Sequence, residues 1–197
     1  MILEGIVTTL DAAGAVNIAP MGPRVEPDFQ RFVLRPFRGS NTYRNLARLG
    51  EGVLHVTDDA LLIARSAIGA VQDHPSRPAK KINGRVLIDC CRYYEFRVTA
   101  VDDSGERARF DAETVESGVV REFFGFNRAR HSIIEVAILA TRIDFLDPVE
   151  VALELEKHRV IVAKTGGARE SEAFDLLDAQ IRATARRRGV EPDQDQA

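Results

Sequence analysis

Arginine, hydroxyl and amide side chains crowd into the twelve residues Arg35 to Leu46 (Arg-Pro-Phe-Arg-Gly-Ser-Asn-Thr-Tyr-Arg-Asn-Leu), directly after the apolar run Phe32-Val33-Leu34. That order predicts a strand emptying into a polar turn that opens a helix, an arrangement suited to holding an anion. Gly39 lets backbone come close to a ligand, Ser40, Thr42 and Asn45 supply neutral donors, and Arg35, Arg38 and Arg44 supply positive charge. The first turn of the helix adds unpaired N–H groups, so the chemistry indicated is phosphate binding. Ser40 or Thr42 ahead of Tyr43-Arg44-Asn45-Leu46 is equally how an ordinary helix is capped, and the segment alone leaves both readings open.

Other reactive constellations are poorly supplied. His55, His74, His131 and His158 include no pair at helical ligand spacing and no His-Glu-x-x-His, so no metal site is expected. Gly-x-Ser-x-Gly is missing, and Cys90-Cys91 falls in an apolar run expected to be a strand, where a thiol is buried filler. No Gly-x-Gly-x-x-Gly follows a strand, and Thr165-Gly166-Gly167 reads as a helix terminator and turn. Two adjacent cysteines cannot build a disulfide framework within one chain, which points to a reducing compartment.

The elements that must position the Arg35–Leu46 corner come from periodicity. Short runs at Ile2 to Thr9, Val16 to Ala19, Arg31 to Arg35 and Gly52 to Thr57 are bounded by Gly, Pro or Asp and read as strands. Val86 to Asp89, Tyr93 to Asp102 and Glu106 to Val115 continue them, the last two joined across Asp102-Asp103-Ser104-Gly105. Helices are expected at Thr42 to Leu49 and Asp59 to Ala70. Gln72 to Gly84, with two prolines and an Asn-Gly pair, reads as a long surface loop that could act as a lid.

Beyond Gly125 the period becomes helical. Asn127 caps one helix with Ile133, Ile134, Ala137, Ile138 and Thr141 on a face; Asp147-Pro148 opens a second carrying Val151, Leu155 and Val160 inward. A third has Phe174, Leu177, Ile181 and Ala185 inside. The organisation expected is a barrel domain over 1–125, a three-helix subdomain over 126–188 and a disordered tail over 189–197.

At 197 residues and 45% hydrophobic, the chain can bury a real core. A net charge of −3 argues against nucleic acid as its main partner, and Arg186-Arg187-Arg188 is read as cations complementing a helix C-terminus. No signal segment or membrane-length apolar run is visible, so a soluble cytoplasmic protein that engages no membrane is expected.

The order of Asn17-Ile18-Ala19-Pro20-Met21-Gly22, Arg35 to Leu46 and Val53 to Asp59 resembles the split-barrel flavoproteins that bind FMN. With the strand around Tyr94 to Val98 and the helices from Asn127 onward, nearly the whole chain is similar to the family called domain of unknown function 447. The resemblance implies an α+β fold, an FMN-binding split β-barrel followed by a C-terminal helical bundle. Under it, Ser40, Thr42 and Asn45, with Gly39, Arg35 and Arg44, would hold the FMN phosphate. Backbone groups of Ala19, Met21 and Gly22 would meet the isoalloxazine, with Met21 and Phe37 as apolar contacts or as core. His55 and Ser40 depart from the pattern, which favours a smaller amide side chain and Thr at these places. A homodimer is also implied, with flavin between subunits. The function expected is an FMN-dependent oxidoreductase taking electrons from a nicotinamide or similar donor to a small-molecule substrate, its catalytic residues unassigned. A non-catalytic flavin carrier or sensor, or an assembly module that has lost flavin, are the alternatives.

Overall fold

The computed structural model describes residues 1–71, 73–105 and 107–188, which form two compact units. Met1–Asp58 and Gln72–Phe124 make the first; Asp59–Val71 and the chain from Gly125 make the second. The expected tail over 189–197 lies outside the described residues.

The first unit is built on a seven-stranded antiparallel sheet. Its strands are β1 (Gly5–Leu10), β2 (Val16–Met21), β3 (Arg24–Val25), β4 (Arg31–Leu34), β5 (Glu51–Val56), β8 (Arg92–Asp102) and β9 (Arg109–Val119). A separate hairpin pairs β6 (Ser76–Pro78) with β7 (Arg85–Leu87). Along the main sheet the order is β2-β1-β5-β8-β9-β4-β3.

The two edge strands, β2 and β3, are consecutive in sequence, joined by Gly22-Pro23 alone. A flat sheet cannot have both edges two residues apart, so it must curl. Backbone bonds from Leu3 N to Pro23 O (3.0 Å) and from Val25 N to Met1 O (2.9 Å) tie β3 to the segment leading into β1, which closes the curl. Register shifts between Glu95 and Phe96 and between Val98 and Ala100 bend β8, as bulges in curved sheets do. Inside lie Val7, Leu34, Leu46, Leu54, Phe96 and Phe110, each at most 1% exposed, with Phe32 edge-on to Phe96 at 5.2 Å between centroids. Gly52 is required here because a Cβ would come within 2.7 Å of the Phe96 ring.

Helix α1 (Asn41–Leu49) follows β4, capped by Ser40 and stopped by Gly50 in the left-handed conformation at φ 68°. The 72–84 stretch is not a free loop. Its described residues include β6, and the Glu95 carboxylate, fully buried, accepts the backbone N–H groups of Lys80 (2.9 Å) and Lys81 (2.8 Å). The periodicity missed this because three residues are too few to show alternation. Cys90 and Cys91 lie in the turn after β7 rather than in a strand, yet both are buried; burial pushes the Cys90 thiol up to about 12 and raises Cys91 too.

The second unit consists of α2 (Ala60–Ala67), α3 (Arg128–Arg142), a short 3-10 turn, α4 (Pro148–Thr165) and α5 (Ala168–Arg187). Asn127, Asp147 and Asp59 cap their helices through side-chain bonds. The division differs from a single cut after residue 125, because α2 packs on α3 and α5. On α3 the buried face is Ala129, Ser132, Ile133, Val136, Ala137 and Ala140, rotated from the expected one, and Thr141 is exposed. Val160 is 44% exposed, and Val162 takes its place inside with Val151 and Leu155. Phe174, Leu177, Ile181 and Ala185 are buried on α5 as the spacing predicts.

Candidate functional site: a cationic corner against an edge strand

The polar turn between β4 and α1 lies beside β2, although more than a dozen residues separate them in sequence. Asn17, the second residue of β2, donates from Nδ2 to Thr42 Oγ1 at 3.1 Å and to Thr9 Oγ1 at 3.3 Å. Asn45 Nδ2 donates to the same Thr9 hydroxyl at 3.0 Å. Thr9, Thr42 and Asn45 are all at most 5% exposed, so this network stitches β1, β2 and α1 into one wall. At the other end of β2, the β3–β4 pairing sets Arg24 opposite Val33 and Val25 opposite Phe32. Through it the strand that follows β2 runs antiparallel to β4, the strand that leads into the corner.

Ser40 is largely occupied by its own helix. Its hydroxyl donates to Phe37 O (2.7 Å) and accepts from Tyr43 N (3.1 Å). Arg44 donates to Gly39 O at 2.8 Å and to the Asn41 side chain, fixing the turn from outside. Arg48 reaches Leu10 O at 2.6 Å. Arg38 is engaged by Asp103 at 2.9 Å, and Tyr43 Oη donates to the other oxygen of that carboxylate at 2.8 Å. That bond, with desolvation and the Asp103 charge, holds the Tyr43 phenol above its ordinary value.

Three donors are left unspent among the described residues. The exposed Arg35 guanidinium has no ion-pair partner, and the first-turn amides of Asn41 and Thr42 have no acceptor. Gly39 is open, with nothing within 4 Å of where a Cβ would stand. Charge, helix N-terminus and an unobstructed glycine together favour an anion.

Met21 is half-buried and packs against the barrel core, whereas Phe37 is 60% exposed with the Arg107 guanidinium over its ring at 3.9 Å. Ala19 is half-buried on β2 and Gly22 is exposed just beyond it. A Cβ on Gly22 would lie 3.1 Å from the Ile2 side chain and 3.3 Å from the Glu4 carboxylate, a tight fit that those side chains would have to relax.

The sequence reading missed Thr9, Asp103 and Arg107 as part of this surface. Asp103 was masked by turn composition; in fact Asp102 makes the turn, accepting from Ser104 N at 3.0 Å, and frees its neighbour for Arg38.

The histidines stand apart from the corner. His55 is fully buried; its Nδ1 faces Ile6 O at 3.3 Å and its Nε2 accepts from Leu87 N at 3.1 Å. Burial lowers its pKa to about 3, so it is a neutral strut joining β5 to β1 and β7. His74 pairs with Asp89 at 3.0 Å. Among the described residues no cluster of three or more His, Cys, Asp or Glu could hold a metal ion, and no helix is long and apolar enough to cross a membrane.

The curled antiparallel sheet is similar to the fold of the FMN-binding split-barrel flavoproteins. The chain resembles styrene monooxygenase flavin reductase from Pseudomonas putida S12 (TM-score 0.52, 10% identity, 62% of this chain and 83% of that one). It also resembles flavoredoxin of Desulfovibrio vulgaris Miyazaki F (TM-score 0.51, 12% identity, 60% and 69%). The chain belongs to the DUF447 family, proteins of unknown function: residues 3–121 match its N-terminal domain and 127–179 its second domain. An FMN-bound protein of that family from Methanosarcina mazei is similar over 91% of this chain and 94% of its own, at TM-score 0.80 and 21% identity.

Proposed function

We propose that this protein binds FMN at the β4–α1 corner and works as a flavin-dependent oxidoreductase, assembled as a homodimer. The observation that carries the reading is the Asn17–Thr42 hydrogen bond, because it sets the strand expected to face the ring against the turn expected to hold the phosphate. The donor set fits the group: Arg35 and the amides of Asn41 and Thr42 take the phosphate, Ser40 and Arg44 hold the turn in shape, and Gly39 admits the ligand. Backbone of Ala19, Met21 and Gly22 offers edge contacts to the ring, with Met21 and Phe37 as apolar neighbours. Similarity to flavin reductases and to an FMN-bound relative supports the assignment.

Bound FMN supplies the redox chemistry, and the protein supplies binding, orientation and electrostatics. Thr42 and Asn45 act from within the wall: their bonds to Asn17 and Thr9 fix where the free first-turn amides point. Arg35 offsets the phosphate charge. No described residue of the corner is a histidine or an unpaired carboxylate, so this wall binds and orients rather than transfers protons.

The test is flavin occupancy. Purified wild-type protein is expected to carry FMN, and Ser40→Ala/Thr42→Ala together are expected to weaken FMN by at least about tenfold, because the cap that shapes the turn and the Asn17–Thr42 bond that fixes the first-turn amides are both lost. Wild-type occupancy in that double variant overturns the site. Oxidation of NADH or NADPH by the loaded protein then checks the activity, and stoichiometric FMN with no turnover across acceptors would assign it to a carrier.

A further inference from the structure

We propose that the outward face of α4 is a self-association surface, on which a second copy of this chain lays its own α4 antiparallel. The surface belongs to the helical unit and needs no flavin. Helix α4 is apolar on two sides. Val151, Leu155 and Val162 are buried where the helix packs on α3 and α5. Val149, Leu153 and Val160, spaced four and seven residues apart, share the opposite face and are 68%, 62% and 44% exposed. One apolar stripe is enough to seat a surface helix in a bundle, and a second, exposed stripe marks a surface made to be covered.

The charges bordering that stripe say what covers it. Lys157 pairs with Glu154, and Arg159 with Glu156 and Asp178. Glu150 and Lys164 are exposed at the two ends of the stripe and have no ion-pair partner among the described residues. About 21 Å of helix separates them. A parallel copy would set Glu150 beside Glu150 and Lys164 beside Lys164. An antiparallel copy, aligned so that each Leu153 meets the other's Val160, sets each Glu150 beside the other's Lys164. The apolar contact and the ion pair then each form twice about a two-fold axis beside Glu156. An anionic partner would satisfy Lys164 and repel Glu150, so the face suits its own copy better. So short a paired stretch belongs to the small, reversible class of interfaces, with association at micromolar concentration and a solvated face below it.

Sedimentation equilibrium of the full chain tests this. Wild type is expected to double its mass as concentration rises, whether or not the barrels are already paired. Leu153→Glu places a carboxylate in both apolar contacts and weakens that step at least about 100-fold. Glu150→Lys weakens it about tenfold, and adding Lys164→Glu restores it. Both changes oppose the helix dipole, so the recovery cannot come from a steadier helix. Because Cys90 and Cys91 are buried, Glu156→Cys supplies an exposed thiol beside the axis and is expected to cross-link to its copy on oxidation with diamide. Val149→Cys, far from the axis, is not. Wild-type mass that does not change with concentration, or that Leu153→Glu leaves unaltered, overturns the proposal, as does Val149→Cys cross-linking as fully as Glu156→Cys. FMN occupancy is expected to be equal in wild type and Leu153→Glu; its absence from both sinks the cofactor reading and leaves this one standing.

Discussion

The barrel and the helical unit use polar residues in opposite ways. In the barrel, Thr9, Thr42, Asn45, His55 and Glu95 are buried and bond between elements distant in sequence. In the helical unit, exposed pairs sit at helical spacing, as in Lys157–Glu154, a few ion pairs such as Arg130–Glu170 and Arg159–Asp178 join neighbouring helices, and the interior is mainly Ala, Ile, Leu and Val. Buried polar bonds are directional and leave a costly orphan if one partner goes, so they fix geometry. Surface pairs contribute little and fix little. The unit that spends its polar groups inside is the one that carries the proposed flavin site.

Core truncations test that contrast most severely. Phe96→Ala in the barrel and Leu177→Ala in α5 each remove a fully buried side chain, and each is expected to cost about 3–4 kcal/mol in denaturant unfolding. Phe96→Ala should also degrade FMN affinity in the protein that remains folded, whereas Leu177→Ala should leave it within about twofold. Loss of FMN in folded Leu177→Ala protein would break the division of labour.

Acid sharpens it next. His55 has its pKa lowered by burial to about 3, so below the ordinary 6.5 the unfolded chain takes a proton that the folded one refuses. The contribution is absent above pH 6.5 and grows as pH falls toward 3, destabilising the barrel by about 2 kcal/mol between pH 7 and 5. His55→Gln is expected to flatten that slope in urea titrations. An unchanged slope would mean that His55 is protonated in the fold.

The smallest effect belongs to the helical surface. Lys157→Ala removes an exposed i,i+3 pair with Glu154 and should shift stability by less than about 0.5 kcal/mol, read by thermal unfolding. A larger change would show that this face is not merely solvated.

Much of the local structure was legible because it depends on near neighbours. Ser40 capping α1, Gly50 ending it, Asn127 and Asp147-Pro148 opening their helices, and the inward spacing of Phe174, Leu177 and Ile181 all follow from patterns within a few residues. The two-residue β3 and three-residue β6 were illegible, being too short to carry a period. The membership of α2 was hidden for another reason: Leu61 to Ala64 are all buried, and a helix apolar nearly all round does not say which partner it faces.

Composition and spacing alone determined a mixed barrel-and-helix protein with a polar turn, suited to an anion or to capping a helix, between its third expected strand and its first helix. Tertiary structure alone decided which donors in that turn stay free. Arg35, Arg38 and Arg44 look alike in sequence, but Asp103, sixty-five residues beyond Arg38, claims one, and the Gly39 carbonyl and Asn41 claim another. Which charges remain for a ligand depends on partners brought close by chain folding, and electrostatic attraction falls off with distance in space, whatever the separation along the chain.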